Sequence, residues 1–134
     1  MIEYEMNAKG TLGLRKFLPQ LGGVVSGAFK KSGIISVAEV SGAMSKKYNL
    51  TYRGKDKATD ILTFVLKGET LGEIVLTPKL VKERAKQMNC NLAKAAVFLV
   101  IHGTLHIMGY VHGNNRDAEK MESKERQLLK KINL

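Results

Sequence analysis

The stretch between Asn91 and Gly109 limits the possible folds of this chain more than any other. Leu92 to Met108 reads as one helix, opened by Asn91 as a cap and stopped by Gly109. Lys94 is its only Lys, Arg, Asp or Glu, and Ala95 to Ile101 is wholly apolar. A helix that is apolar on nearly every side has to be enclosed by the rest of its domain. Its apolar run is far shorter than the ~20 residues that cross a bilayer. The expectation is a central, buried helix in a globular domain without membrane contact.

The remaining segments supply the enclosure. Ile2 to Met6 reads as a short edge strand. Leu14 to Lys31 carries Leu14, Phe17, Leu18, Leu21, Val25, Ala28 and Phe29 at helical spacing, weakened by Pro19 and Gly22-Gly23. Ile34 to Val40 is a β-branched run, and Ser41 can cap a helix through about Asn49. Thr51 to Asp60 is polar and reads as a loop. Ile61–Leu66 and Leu71–Leu76 pair as a hairpin across Lys67–Thr70. Thr77-Pro78 opens a helix to about Met88, and Asp117 to Ile132 forms an amphipathic helix with Ala118, Met121, Leu128, Leu129 and Ile132 on one face. The predicted class is α/β (mixed α+β), strands early and helices late, with a small mixed sheet covered by helices. No repeat or linker divides residues 1–134, so one domain is expected.

Cys90 is the only cysteine, which excludes an internal disulfide and a Cys-cluster metal site and fits a reducing compartment. Met1 to Glu5 has neither the basic head nor the apolar core of a secretory signal, so a cytoplasmic location is expected. Lys and Arg total 22 against 12 Asp and Glu, a net charge of +10. Such an excess keeps a surface solvated, and it also suits a polyanion, of which nucleic acid leads in a chain without a lipid anchor.

All three histidines fall in one short stretch, His102-Gly-Thr-Leu-His106-Ile-Met-Gly-Tyr-Val-His112. His102 and His106 are one turn apart on the same face of the predicted helix. Gly109 ends the helix, which lets the chain fold back and bring His112 to the same point. Three imidazoles on one metal ion leave a fourth position open, the mark of a catalytic site of the zinc type. Hydrogen-bonded core histidines are the plainer alternative, and they fit a lone histidine better than this spacing. Cys90 lies roughly 16 Å along the helix axis from His102 and reads as a small buried hydrophobe. The spacing also resembles HExxH, but the protease base would stand at Gly103, so peptide hydrolysis lacks its proton acceptor.

A metal site acting on phosphate also wants a cation. Tyr52-Arg53-Gly54-Lys55-Asp56-Lys57 offers three. Arg53, between an aromatic residue and a glycine, is the candidate for a fixed phosphate clamp, whereas Lys55 and Lys57 suit a solvated loop or a nucleic-acid backbone. Glu73 is either a plain strand carboxylate or a group that orients a water or a ligand histidine.

These residues resemble the YbeY family of bacterial metal-dependent endoribonucleases. The resemblance rests on His102-Gly-x-Leu-His106-x-x-Gly-Tyr-x-His112, on Leu50-Thr-Tyr-Arg-Gly-Lys-Asp-Lys-Ala-Thr-Asp-Ile-Leu-Thr-Phe64 and on Leu71-Gly-Glu-Ile-Val75, and covers about residues 34–129. It implies an α/β fold with a cleft, a metal usually taken as zinc on His102, His106 and His112, and a functional arginine at Arg53. With His102, Arg53 then forms the catalytic pair. The implied activity is cleavage of single-stranded RNA. The implied pathway is maturation of the 3′ end of small-subunit ribosomal RNA, with ribosome quality control. The chain departs from the family pattern at Val111 for Asp, Ala58 for Pro and Glu73 for Asp. Val111 removes a carboxylate beside the third histidine, and Ala58 makes a less rigid loop. Two further readings stay open: a ribosome-assembly factor whose metal only stiffens the fold, and a metal-dependent hydrolase of another phosphoester or an amide. Three imidazoles also accept nickel, cobalt or copper.

Overall fold

The computed structural model describes residues 1–134. Its strands are β1 (Ile2–Glu5), β2 (Gly33–Glu39), β3 (Ile61–Val65) and β4 (Thr70–Leu76), and its helices are α1 (Leu18–Ala28), α2 (Gly42–Arg53), α3 (Pro78–Gln87), α4 (Leu92–Ile107) and α5 (Asn115–Leu129). The sheet runs in the order β1-β2-β4-β3. β1 with β2 and β2 with β4 are parallel, and β3 with β4 is the antiparallel hairpin. The mixed α/β class expected from the sequence is the one observed.

The succession of elements is also the one read from the sequence: α1 lies between β1 and β2, α2 between β2 and β3, and α3, α4 and α5 follow the last strand. Parallel neighbours cannot be joined by a tight turn, so each parallel pair needs a connection long enough to cross over, and α1 and α2 are part of it. α1 is shorter than expected. Arg15–Phe17 is a separate 3₁₀ turn, Pro19 sits in the first turn of the helix, and Phe29 is already extended. α5 begins two residues early, capped by Asn114, whose side chain accepts from the Asp117 amide, and ends at Leu129.

α4 is the buried centre. Ten of its residues, from Ala95 to Ile107, are buried, and it packs on α3, α5, β3 and β4. Two glycines permit that approach. A Cβ on Gly72 would stand 2.6 Å from Ile107 Cδ1 and 2.7 Å from the Phe64 carbonyl. One on Gly103 would stand 3.0 Å from Ile74 Cδ1 and 3.1 Å from Thr63 Oγ1. Gly103 is therefore where the helix lies flat on the hairpin, which explains why no larger residue stands there. Tyr4 ties β1 to the same helix through Thr104 Oγ1 at 2.6 Å. The Thr104 proton goes to the Val100 carbonyl, so Tyr4 donates. Burial pushes the Tyr4 phenol well above its ordinary value.

α2 runs one turn further than expected. Ser41 caps it, accepting from the Met44 amide at 3.1 Å, and it ends at Gly54 in the left-handed region at φ 70°. Thr51 to Arg53, expected as loop, are its last turn. The polar segment that follows is pinned to the helix by buried groups. Ser45 donates to the Thr59 carbonyl and accepts from the Thr59 amide, both at 3.0 Å. Asn49 donates to the Lys57 carbonyl at 2.8 Å, and Thr77 to the Thr59 carbonyl at 2.7 Å. These bonds hold the loop in place with Ala58, not a proline, at its centre.

Candidate metal centre

His102 and His106 lie on the outer side of α4, half-buried, and the turn at Gly109 (φ 100°) returns an exposed His112 beside them. One ligand nitrogen from each falls within 4.8 Å of the other two. His112 stacks on His102 with ring centroids 5.0 Å apart.

The hydrogen bonds fix which nitrogens face inward. His102 Nδ1 lies 2.5 Å from Glu125 Oε1, and His106 Nδ1 lies 3.1 Å from the Tyr110 carbonyl oxygen. Both partners accept, so both Nδ1 atoms carry the proton and both Nε2 atoms present lone pairs. Those Nε2 atoms are 3.2 Å apart. Two acceptors at that distance repel unless a cation lies between them. Two imidazole nitrogens bound tetrahedrally at about 2.0–2.1 Å from one ion are roughly 3.3 Å apart. The donor set therefore fits a metal ion of the zinc class. Burial, and next the neighbouring His102, lower the pKa of His106 below its ordinary value, which keeps it in the neutral form that ligates.

Glu125 was not among the residues singled out in the sequence. It is buried on α5, between Met121 and Leu128 on the apolar face. That position is the signal: a carboxylate in a buried stripe has to have a partner. Here the partner is His102, whose ring it orients through Nδ1. Val111, 54% exposed beside His112, offers no carboxylate, and it is Glu125 that serves His102. Replacing Glu125 with alanine is expected to weaken metal binding about 10- to 100-fold, measured by competition with a chromogenic chelator. Unchanged affinity would show that the contact is incidental.

Arg53 stands at the end of α2, not in a loop. Its guanidinium donates to the Thr63 carbonyl and lies over the Phe64 ring, with Cζ 5.6 Å from the centroid. The side chain of the same Thr63 abuts Gly103, the neighbour of His102. Arg53 is thereby anchored to the hairpin edge beside the histidine helix, and it has no carboxylate partner. Lys55 and Lys57 are exposed on the pinned loop, likewise unpaired, whereas Lys46 reaches Asp56 at 3.7 Å. Glu73 does not serve the histidines. It pairs in register with Ser36 and Phe64 on the face of the sheet away from α4, because strand side chains alternate and Gly72 and Ile74 take the α4 face. Cys90 is a free thiol, half-buried against the core and apart from the histidine group.

A sequence model described as Endoribonuclease YbeY matches residues 18–133. An Endoribonuclease YbeY from Nitrosomonas eutropha is 36% identical over 111 residues, covering 81% of this chain and 79% of that protein. The solution structure of TM1509 from Thermotoga maritima aligns with a TM-score of 0.71 and 31% identity over 98% of this chain and 88% of that one.

Proposed function

We propose, for a chain that belongs to the YbeY family of endoribonucleases, a metal-dependent endoribonuclease of single-stranded RNA that works as one domain over residues 1–134. Its setting is the cytoplasm, and its substrate is ribosomal RNA, at the 3′ end of the small-subunit species and in ribosome quality control. No single helix is long and apolar enough to cross a membrane. The observation that carries the reading is the pair of inward-facing Nε2 lone pairs on His102 and His106, with both Nδ1 protons already committed.

His102, His106 and His112 hold the ion, with zinc the metal that three neutral imidazoles and an open position suit best. A zinc ion held there supplies a Lewis acid that lowers the pKa of water and polarises phosphate oxygens. Arg53 binds the phosphoryl oxygens with its remaining N–H groups and stabilises the charge that builds on them as the ester is attacked. Lys55 and Lys57 hold the flanking backbone electrostatically. A second reading, an assembly factor with a structural metal, is favoured by one observation. The carboxylate at the cluster, Glu125, is committed to His102, and Gly103 offers no base in its place.

Stripping and reloading the metal tests the proposal. The protein as purified should hold about one zinc per chain by elemental analysis and cleave a short single-stranded RNA. A chelator should remove both properties, and zinc should restore both. A fully loaded protein that cleaves neither free RNA nor RNA on the small subunit would overturn the enzymatic reading in favour of the assembly factor.

A further inference from the structure

The face of the sheet away from α4 carries a groove that the histidine centre does not use. Its volume is about 350 Å³, and Tyr48, Tyr52, Phe64, Leu66 and Val75 form its walls around Glu73. Tyr52 is 62% exposed and Leu66 41%. The Tyr52 ring meets Phe64 edge-on, with centroids 5.3 Å apart, and Tyr48 at 6.3 Å. A tyrosine this open adds little to the core, so its ring is available to a partner.

Apolar walls alone accept many partners, and charge narrows the choice. Lys46, Lys47, Arg53, Lys55 and Lys57 surround the two tyrosines in sequence, in a chain of net charge +10. Among these cations only Lys46 has an acidic partner. Arg53 joins the two features directly, because its guanidinium lies over the Phe64 ring that forms one wall. A phosphate held by Arg53 therefore has its own nucleoside beside the aromatic rings. Glu73, the one acid in the groove, can accept from the amino group of a base. Cations that track a backbone next to open aromatic faces are the physical pattern of single-strand recognition.

We infer that this groove stacks the unpaired bases of an RNA strand whose backbone is held at Arg53, so that the strand crosses the β3 edge between the groove and the histidines. β3 is the outer strand of the sheet, and Thr63 touches the histidine helix while its neighbour Phe64 faces the groove. The inference rests on the endoribonuclease reading for its ligand.

The test measures binding of a labelled, cleavage-resistant 2′-O-methyl RNA by fluorescence anisotropy, beside an abasic strand of equal length. Tyr52→Leu should weaken binding of the base-bearing strand about 5- to 100-fold. It should leave the abasic strand and the salt dependence unchanged. Tyr52→Phe keeps the π face and should bind like wild type. Lys55→Gln should instead lower the salt slope by about one ion. Wild-type affinity in Tyr52→Leu, or an equal loss on both strands, overturns the inference and leaves the groove to a protein partner. Cleavage of natural RNA by the wild type is scored in parallel. Cleavage with base-independent binding removes the groove alone. Base-dependent binding by a metal-loaded protein that cleaves neither free RNA nor RNA on the small subunit removes the endoribonuclease reading and leaves the groove standing.

Discussion

His106→Ala should leave a folded protein without bound metal and lower RNA cleavage by about a thousand-fold or more. The expected size follows from the geometry. His106 Nε2 is 3.2 Å from His102 Nε2, and its Nδ1 proton is spent on the Tyr110 carbonyl, so this ring has one free ligand atom and one direction in which to use it. No other cysteine or carboxylate joins the group that could replace it. Two ligands, one of them on the exposed His112, do not hold a zinc ion at ordinary free concentrations. The fold should survive, because His106 is half-buried on the open side of α4, whereas Leu105 and Ile107 beside it carry the core contacts. Elemental analysis, a cleavage assay and a thermal melt on one preparation decide the matter. A metal-free His106→Ala protein that cleaves at the wild-type rate would falsify the metal mechanism outright.

Arg53→Ala should separate charge stabilisation from metal binding. Cleavage is expected to fall about 100- to 1,000-fold, the usual cost of removing one donor aimed at developing charge. Metal content should stay at the wild-type level, since Arg53 touches Thr63 and Phe64 and none of the three histidines. Arg53→Lys should recover little. A single ammonium cannot both donate to the Thr63 carbonyl and grip two phosphoryl oxygens in the plane of a guanidinium. The readouts are the single-turnover rate, which reports the chemical step, and RNA affinity, which reports uniform binding. A loss confined to affinity would make Arg53 a binding residue only.

The parts of the site that lie close together in the chain were legible from their order. His102 and His106 share a face because helical geometry is set within a few residues, and Asn91 and Gly109 mark the ends of α4 by the capping each provides. The last turn of α2 was hidden. Thr51, Tyr52 and Arg53 are all exposed, so no apolar periodicity extends to them, and the left-handed Gly54 was the only local sign that the helix runs on. Glu73 could be assigned to a strand but not to a side of the site. A strand's alternation says which residues share a face, and only the packing of α4 onto Gly72 says which face that is.

The central helix, the pairing of the hairpin and the grouping of the three histidines can be read along the chain, because each depends on contacts within a turn or across a short connection. Other relations exist only in the folded chain. β4 lies parallel to β2, which lies parallel to β1; Glu125 on α5 stands against His102 at 23 residues' separation; and Arg53 reaches the edge of the histidine helix through Thr63. Those relations arise where separate elements meet to bury apolar surface, and no local spacing encodes which elements will meet.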